Sequence, residues 1–143
     1  DDARMATLAF LLGRYAFDRY KARNDVAEVR LVAPEGFDTD EALHIASACA
    51  LAREMVDTPA ADMGPLQMET IAREIAEAHG ATISVTTGDD LLEQNYPAIH
   101  AVGRAAAPHR APRILEIGWN LNRTDRPLVA LIGKGVAFDS GGL

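Results

Sequence analysis

The sequence predicts an α/β fold in which a mixed sheet is flanked by helices. Three observations lead there. Apolar residues spaced three and four apart recur in segments that alternate with short strand-like runs. Proline and glycine stand at the junctions between those segments. Late in the chain a continuous apolar run, residues 128–132, has the character of a central strand covered on both faces.

The elements follow in order. Asp1 or Asp2 can cap a first helix whose apolar stripe is Met5, Leu8, Ala9, Leu12 and Tyr15. Arg19 and Lys21 near its end suit the negative end of the helix dipole. Residues 26–32 alternate loosely, with Val29 and Leu31 as core candidates of a short strand. Pro34, Glu35 and Gly36 break that pattern, and Asp38 with Glu41 has the spacing of a capping box opening a second helix. Its stripe is Ala42, Ile45, Ala46, Cys49, Ala52 and Val56. It ends at Asp57 and Thr58, because the residue before Pro59 is pushed out of the helical region.

Residues 60–64 read as a loop, and Pro65 fits the first turn of a third helix. That helix has the stripe Met68, Ile71, Ala72, Ile75 and Ala76, with Gly80 as its terminator. Ile83 and Val85 alternate with Thr82, Ser84 and Thr86 in a half-buried strand. Asp89 or Asp90 caps a short helix containing Leu91 and Leu92, which Pro97 interrupts or kinks. Residues 103–112 form a loop of small residues and prolines. Over 113–119, Ile114, Glu116 and Gly118 alternate with Leu115, Ile117 and Trp119. The connection 120–127 is short, so 113–119 and 127–132 are expected to be antiparallel neighbours.

Composition narrows the function classes. The 143 residues, 48% hydrophobic and 24% charged, are enough for a packed core without a disulfide or metal staple. No apolar run approaches the ~20 residues of a membrane helix, and no basic-then-apolar signal segment opens the chain. Cys49 is the single cysteine, so no internal disulfide forms, which fits a reducing, cytoplasmic compartment. A net charge of −7 without a basic patch argues against nucleic acid as a partner.

The chemistry lies at the end of the chain. The apolar run passes directly into Gly-Lys-Gly-Val-Ala-Phe-Asp-Ser-Gly-Gly-Leu at 133–143. A Walker A loop is excluded, because Gly135 and Val136 follow Lys134 where Ser or Thr is needed. A dinucleotide fingerprint starting at Gly133 is excluded by Phe138. Read without further context, Lys134 is a solvated strand-end lysine and Asp139 a cap. Ser140 lacks a nucleophile elbow, and Cys49 sits on an apolar helical stripe as a structural thiol. His44, His79, His100 and His109 show no metal-ligand spacing. Met63 and Met68 read as packing residues, and Asp57, Asp62, Asp89 and Asp90 as caps.

The 133–143 motif resembles the first metal-binding motif of the leucyl aminopeptidase family, the two-metal cytosol aminopeptidases. Residues 53–65, His100 through Ala105, and the pair Pro112 and Arg113 are similar to further segments of that family, so the resemblance runs from Leu11 to Leu143. It implies an intact exopeptidase that hydrolyses the N-terminal residue from peptides with a free N-terminus. It implies two divalent metal ions (Zn²⁺, Mn²⁺ or Mg²⁺), a homo-oligomer of hexameric type, and no membrane partner. By the same resemblance Lys134 ligates one metal through its amine, and Asp139 bridges both. The chemistry is coherent. A lysine of ordinary pKa, ~10.4, is cationic, and a neighbouring divalent cation can drive off its proton. A carboxylate has two oxygens and can hold metals ~3.5–4 Å apart.

The resemblance also implies an organisation. Residues 1–37 would be the C-terminal remnant of a smaller N-terminal α/β domain, 38–57 a linker helix, and 58–143 an incomplete start of the catalytic domain. Further acidic ligands, a second lysine and an arginine of the family's site have no counterpart here, so the chain alone is expected to be an inactive fragment. The alternative is a non-catalytic assembly or binding module derived from the same fold.

Overall fold

The computed structural model describes residues 2–22 and 28–137. The chain divides into two compact units between Thr58 and Pro59.

In the first unit, α1 (Ala3–Gly13) packs on α2 (Asp40–Asp57). Asp2 is the N-cap of α1, its carboxylate accepting from the amides of Arg4 at 3.0 Å and Met5 at 3.4 Å. The helix stops two residues short of Tyr15, so Arg19 and Lys21 lie beyond its last turn. Two causes are visible. Gly13 is a poor helix former, and the Arg53 guanidinium donates to the Leu12 carbonyl at 2.9 Å, satisfying it without another turn. Tyr15 then leaves the stripe, and its hydroxyl donates to Asp57 at 2.9 Å beneath the Arg53 guanidinium, 5.4 Å from the ring centroid.

The expected capping box of α2 does not form. The N-cap is Thr39, the Asp38 carboxylate accepts from the Asp40 amide at 2.8 Å, and Glu41 pairs with Arg4 at 2.8 Å instead of reaching back. The far end is as expected: the Thr58 hydroxyl donates to the Glu54 carbonyl at 2.6 Å. Of the strand expected at 26–32, residues 28–32 are irregular, with Val32 88% exposed, and 26–27 lie outside the described residues.

In the second unit, α3 (Pro65–Ala78) starts on its proline, and the Gly64 amide donates to the Gln67 side chain at 3.1 Å. Gly80 terminates it at φ +62°, where the Ala81 amide reaches the Ala76 carbonyl at 2.8 Å. Strand β1 (Thr82–Thr87) follows, then α4 (Asp90–Glu93), α5 (Pro97–Gly103), a 3₁₀ turn at Pro108–Arg110, and β2 (Arg113–Gly118). Pro97 does not kink one helix but opens another, since Pro at the first helical position wastes no donor.

The α/β class holds, but the pairing expected for 113–119 does not. β2 runs antiparallel to β1, from Thr82 opposite Gly118 to Thr87 opposite Arg113. Residues 127–132 form no strand, and Leu131 and Ile132 are almost fully exposed. A short connection permits a hairpin without selecting it. β1 offers six residues whose apolar positions, Ile83 and Val85, fall opposite Ile117 and Leu115. Those four share a face with Arg113, which pairs with Glu69 of α3, so α3 covers this face. On the opposite face the Ser84 hydroxyl donates to Glu116 at 3.1 Å. Leu91 is fully buried, and Met63, Ala72 and Ala76 complete the core of this unit.

Candidate metal centre

Lys134 lies in an exposed irregular segment that follows the apolar run, where its amine makes no hydrogen bond or ion pair among the described residues. Asp139 and Ser140 lie outside the described residues. The structure therefore places one of the two expected ligands and does not show the two together. Among the described residues, no group of three or more His, Cys, Asp or Glu side chains stands close enough to hold a metal ion.

The donor chemistry nonetheless fits a divalent cation. An amine nitrogen and a carboxylate suit Zn²⁺ and Mn²⁺ alike. The amine is not consumed by a neighbouring carboxylate among the described residues. The segment that carries it approaches α3: the first carbon of a side chain at Gly135 would stand 3.3 Å from Met68 Sδ.

Helix α3 is firmly mounted. Glu69, next to Met68, accepts from Arg73 at 2.8 Å and from Arg113 of β2. Burial pushes the Glu69 carboxyl up, but hydrogen bonds and charge from Arg73 and Arg113 outweigh it and hold the group below the ordinary glutamate value. At the helix start, Arg110 donates to the carbonyls of Ala60 at 2.8 Å and Ala61 at 2.7 Å, tying the preceding loop to the 3₁₀ turn.

The other candidates are structural. His79 is the C-cap of α3, His100 meets Asp89 at 3.0 Å, and His44 and His109 are exposed. Asp57 accepts from Tyr15 rather than capping α2, and Cys49 is free and half-buried on that helix. A cleft of about 360 Å³ opens beside Thr82, Ser84, Glu116 and Leu121, and Lys134 is not among its lining residues.

The sequence reading did not foresee the roles of Arg110 and Glu69. Arg113 carried a usable signal, being a charge on the same alternating face as Leu115 and Ile117, which calls for a buried partner. Arg110 carried none, because carbonyl acceptors on a distant loop leave no trace in residue types.

Comparison with known proteins agrees with the motif. Residues 50–143 match the family described as the cytosol aminopeptidase family, catalytic domain. A probable cytosol aminopeptidase of Roseiflexus castenholzii is 34% identical over 99% of this chain, which covers 31% of that relative. Peptidase B of Yersinia pseudotuberculosis is 35% identical over 85% of this chain, covering 28% of the relative. The chain thus spans about a third of the length of these curated relatives. Among solved structures, the bottromycin maturation enzyme BotP in complex with Mn superposes with a TM-score of 0.68 at 35% identity, over 80% of this chain and 24% of that one. With the family's catalytic-domain match covering residues 50–143 and relatives aligned along nearly all of its length, the chain belongs to the cytosol aminopeptidase family.

Proposed function

We propose that this chain contributes to a two-metal aminopeptidase that removes the N-terminal residue from peptides with a free N-terminus. The observation that carries the reading is the Lys134 amine, which has no partner among the described residues, on its glycine-flanked segment within the region that matches the family's catalytic domain. Residues 1–37 would end a smaller N-terminal domain, 38–57 would link it, and 58–143 would begin the catalytic domain.

Lys134 would hold one divalent cation through a deprotonated amine, and Asp139 would bridge that cation and a second. Zn²⁺, Mn²⁺ and Mg²⁺ are the candidates, and the solved relative described in complex with Mn supports the class. Bound there, the cations would polarise the scissile carbonyl and supply an activated water. The Asp139 carboxylate would offset part of their charge. Lys134 contributes a neutral nitrogen, so the site gains a ligand without gaining negative charge. One amine and one carboxylate do not complete a two-metal site, so the chain by itself would be inactive. The working enzyme would be a cytoplasmic homo-oligomer, a hexamer on the family pattern. Among the described residues no helix is long and apolar enough to cross a membrane.

The test is metal content, by elemental analysis, alongside the rate on a free-amine substrate, in the full-length protein carrying this chain. Asp139→Asn keeps the size but leaves one useful ligand oxygen, so at least one metal is lost and turnover collapses. Lys134→Ala weakens one site and leaves the other partly occupied. If Asp139→Asn keeps both metals and near-normal turnover, and blocking the substrate amine does not slow the reaction, the assignment is wrong.

A further inference from the structure

The two glycines beside Lys134 stand in different surroundings. A side chain at Gly133 would meet nothing within 4 Å among the described residues, whereas one at Gly135 would meet Met68 Sδ at 3.3 Å. Neither has the positive φ that Gly36, Gly80 and Gly88 adopt. Left-handed backbone therefore does not explain a glycine at 135; close approach to α3 does.

Met68 is half-buried on α3, next to the Glu69 carboxylate that Arg73 and Arg113 hold. It is thus a side chain on a fixed helix, meeting a segment whose preceding residues, Leu131 and Ile132, are almost fully exposed. A thioether is soft and unbranched, suited to filling the space over a bare glycine.

We propose that Met68 is a positioning residue for Lys134: its thioether seats the backbone at Gly135 and so aims the adjacent amine. The proposal rests on the reading of Lys134 as a metal ligand. A lysine amine hangs on four rotatable bonds, and its ordering costs side-chain entropy whenever it binds. If the backbone at the root of that chain is also free, the cost rises and affinity falls. A Cβ at 135 would stand 3.3 Å from the Met68 sulfur, so the thioether would have to give by a few tenths of an ångström and the seat would shift. Gly133 has no such contact to respect.

The experiment uses the full-length protein and two readouts. One is affinity for Zn²⁺ and for Mn²⁺ by chelator competition. The other is amide hydrogen exchange at 133–136 in the metal-free protein. Met68→Ala is expected to speed exchange there and to weaken the metal that Lys134→Ala also weakens, by about tenfold, as for other residues that orient ligands. Met68→Leu, nearly equal in volume, should stay close to wild type. Gly135→Ala should weaken the same metal, and the double variant Met68→Ala with Gly135→Ala should recover part of the loss, because the smaller seat admits the methyl group. Unchanged exchange and affinity in Met68→Ala, or strict additivity in the double variant, overturns the proposal while leaving the metal reading intact. Full metal content in Lys134→Ala overturns the ligand reading and, with it, any role of Met68 toward that amine. Met68–Gly135 coupling in the metal-free protein would still show in the exchange data.

Discussion

Replacing Glu69 with Gln removes one charge and almost no volume at the point where α3 meets β2. The Glu69 side chain is 12% exposed and that of Arg113 only 9%, whereas Arg73 is 51% exposed. Arg73 can recover its hydration when Glu69 becomes neutral, but Arg113 cannot. Breaking a buried pair by removing one partner costs about 3–5 kcal/mol. An amide oxygen still accepts a hydrogen bond from Arg113, which brings the expected loss down to about 2–3 kcal/mol. With a urea slope of ~1–3 kcal/mol/M, the unfolding midpoint falls by roughly 1 M. The loss should also depend on pH. Because Arg73 and Arg113 outweigh burial and depress the folded carboxyl, Glu69 stabilises the fold above the unfolded glutamate value of ~4.3, and this contribution disappears as pH falls through the lower folded value. Urea titrations followed by circular dichroism should therefore show the full gap between wild type and Glu69→Gln at pH 7, and a narrowing gap below about pH 4. A gap of equal size at pH 3 and pH 7 would refute the charge pair as what fastens the helix to the strand.

Two further outcomes are expected. Gly103→Ala would place its Cβ 2.3 Å from Pro112 Cβ, in a ring that cannot rotate away, and should cost about 1–3 kcal/mol, whereas Gly13→Ala, with nothing within 4 Å, should be neutral or mildly stabilising; thermal melts of the two variants compare them directly. The Tyr15 phenol is pushed up to about 12 by burial and then by its bond to the Asp57 carboxylate, so its stabilising contribution is complete below the unfolded value of ~10 and is lost as pH rises through about 12; Tyr15→Phe should remove a late-titrating phenol from an ultraviolet absorbance titration.

The elements that sequence located well are those fixed by local chemistry. Asp2 at the start of α1, Pro65 at the start of α3, Gly80 after it and Pro59 after α2 each act within one turn of their own position. Strand partnership is not local. The alternation in 113–119 marks a strand but does not name its neighbour, and β1 won because its apolar register matches over six residues. The same limit explains Arg110, whose partners are carbonyls about fifty residues away. At the candidate site, the flanking glycines and the apolar run before them read by themselves only as a solvated strand-end lysine, and it was the resemblance of the whole 133–143 motif that singled out Lys134. What distinguishes those two glycines was not legible, because the contact with Met68 joins segments far apart in the chain.

The exposure of residues 128–132 has a colloidal consequence. Leu128 is 80% exposed, Val129 74%, Leu131 95% and Ile132 98%, in a segment with strong strand propensity and no charge of its own. Peptide groups outside any strand in such a run can template the same run of another molecule. Arg126, Pro127 and Lys134 flank it as gatekeepers that interrupt growth at either end. A net charge of −7 keeps copies of the chain apart. Added salt shortens the reach of that repulsion to ~10 Å at 0.1 M without weakening apolar contact. Turbidity of the isolated chain should therefore rise with ionic strength, and a single acidic substitution at Leu131 should suppress it.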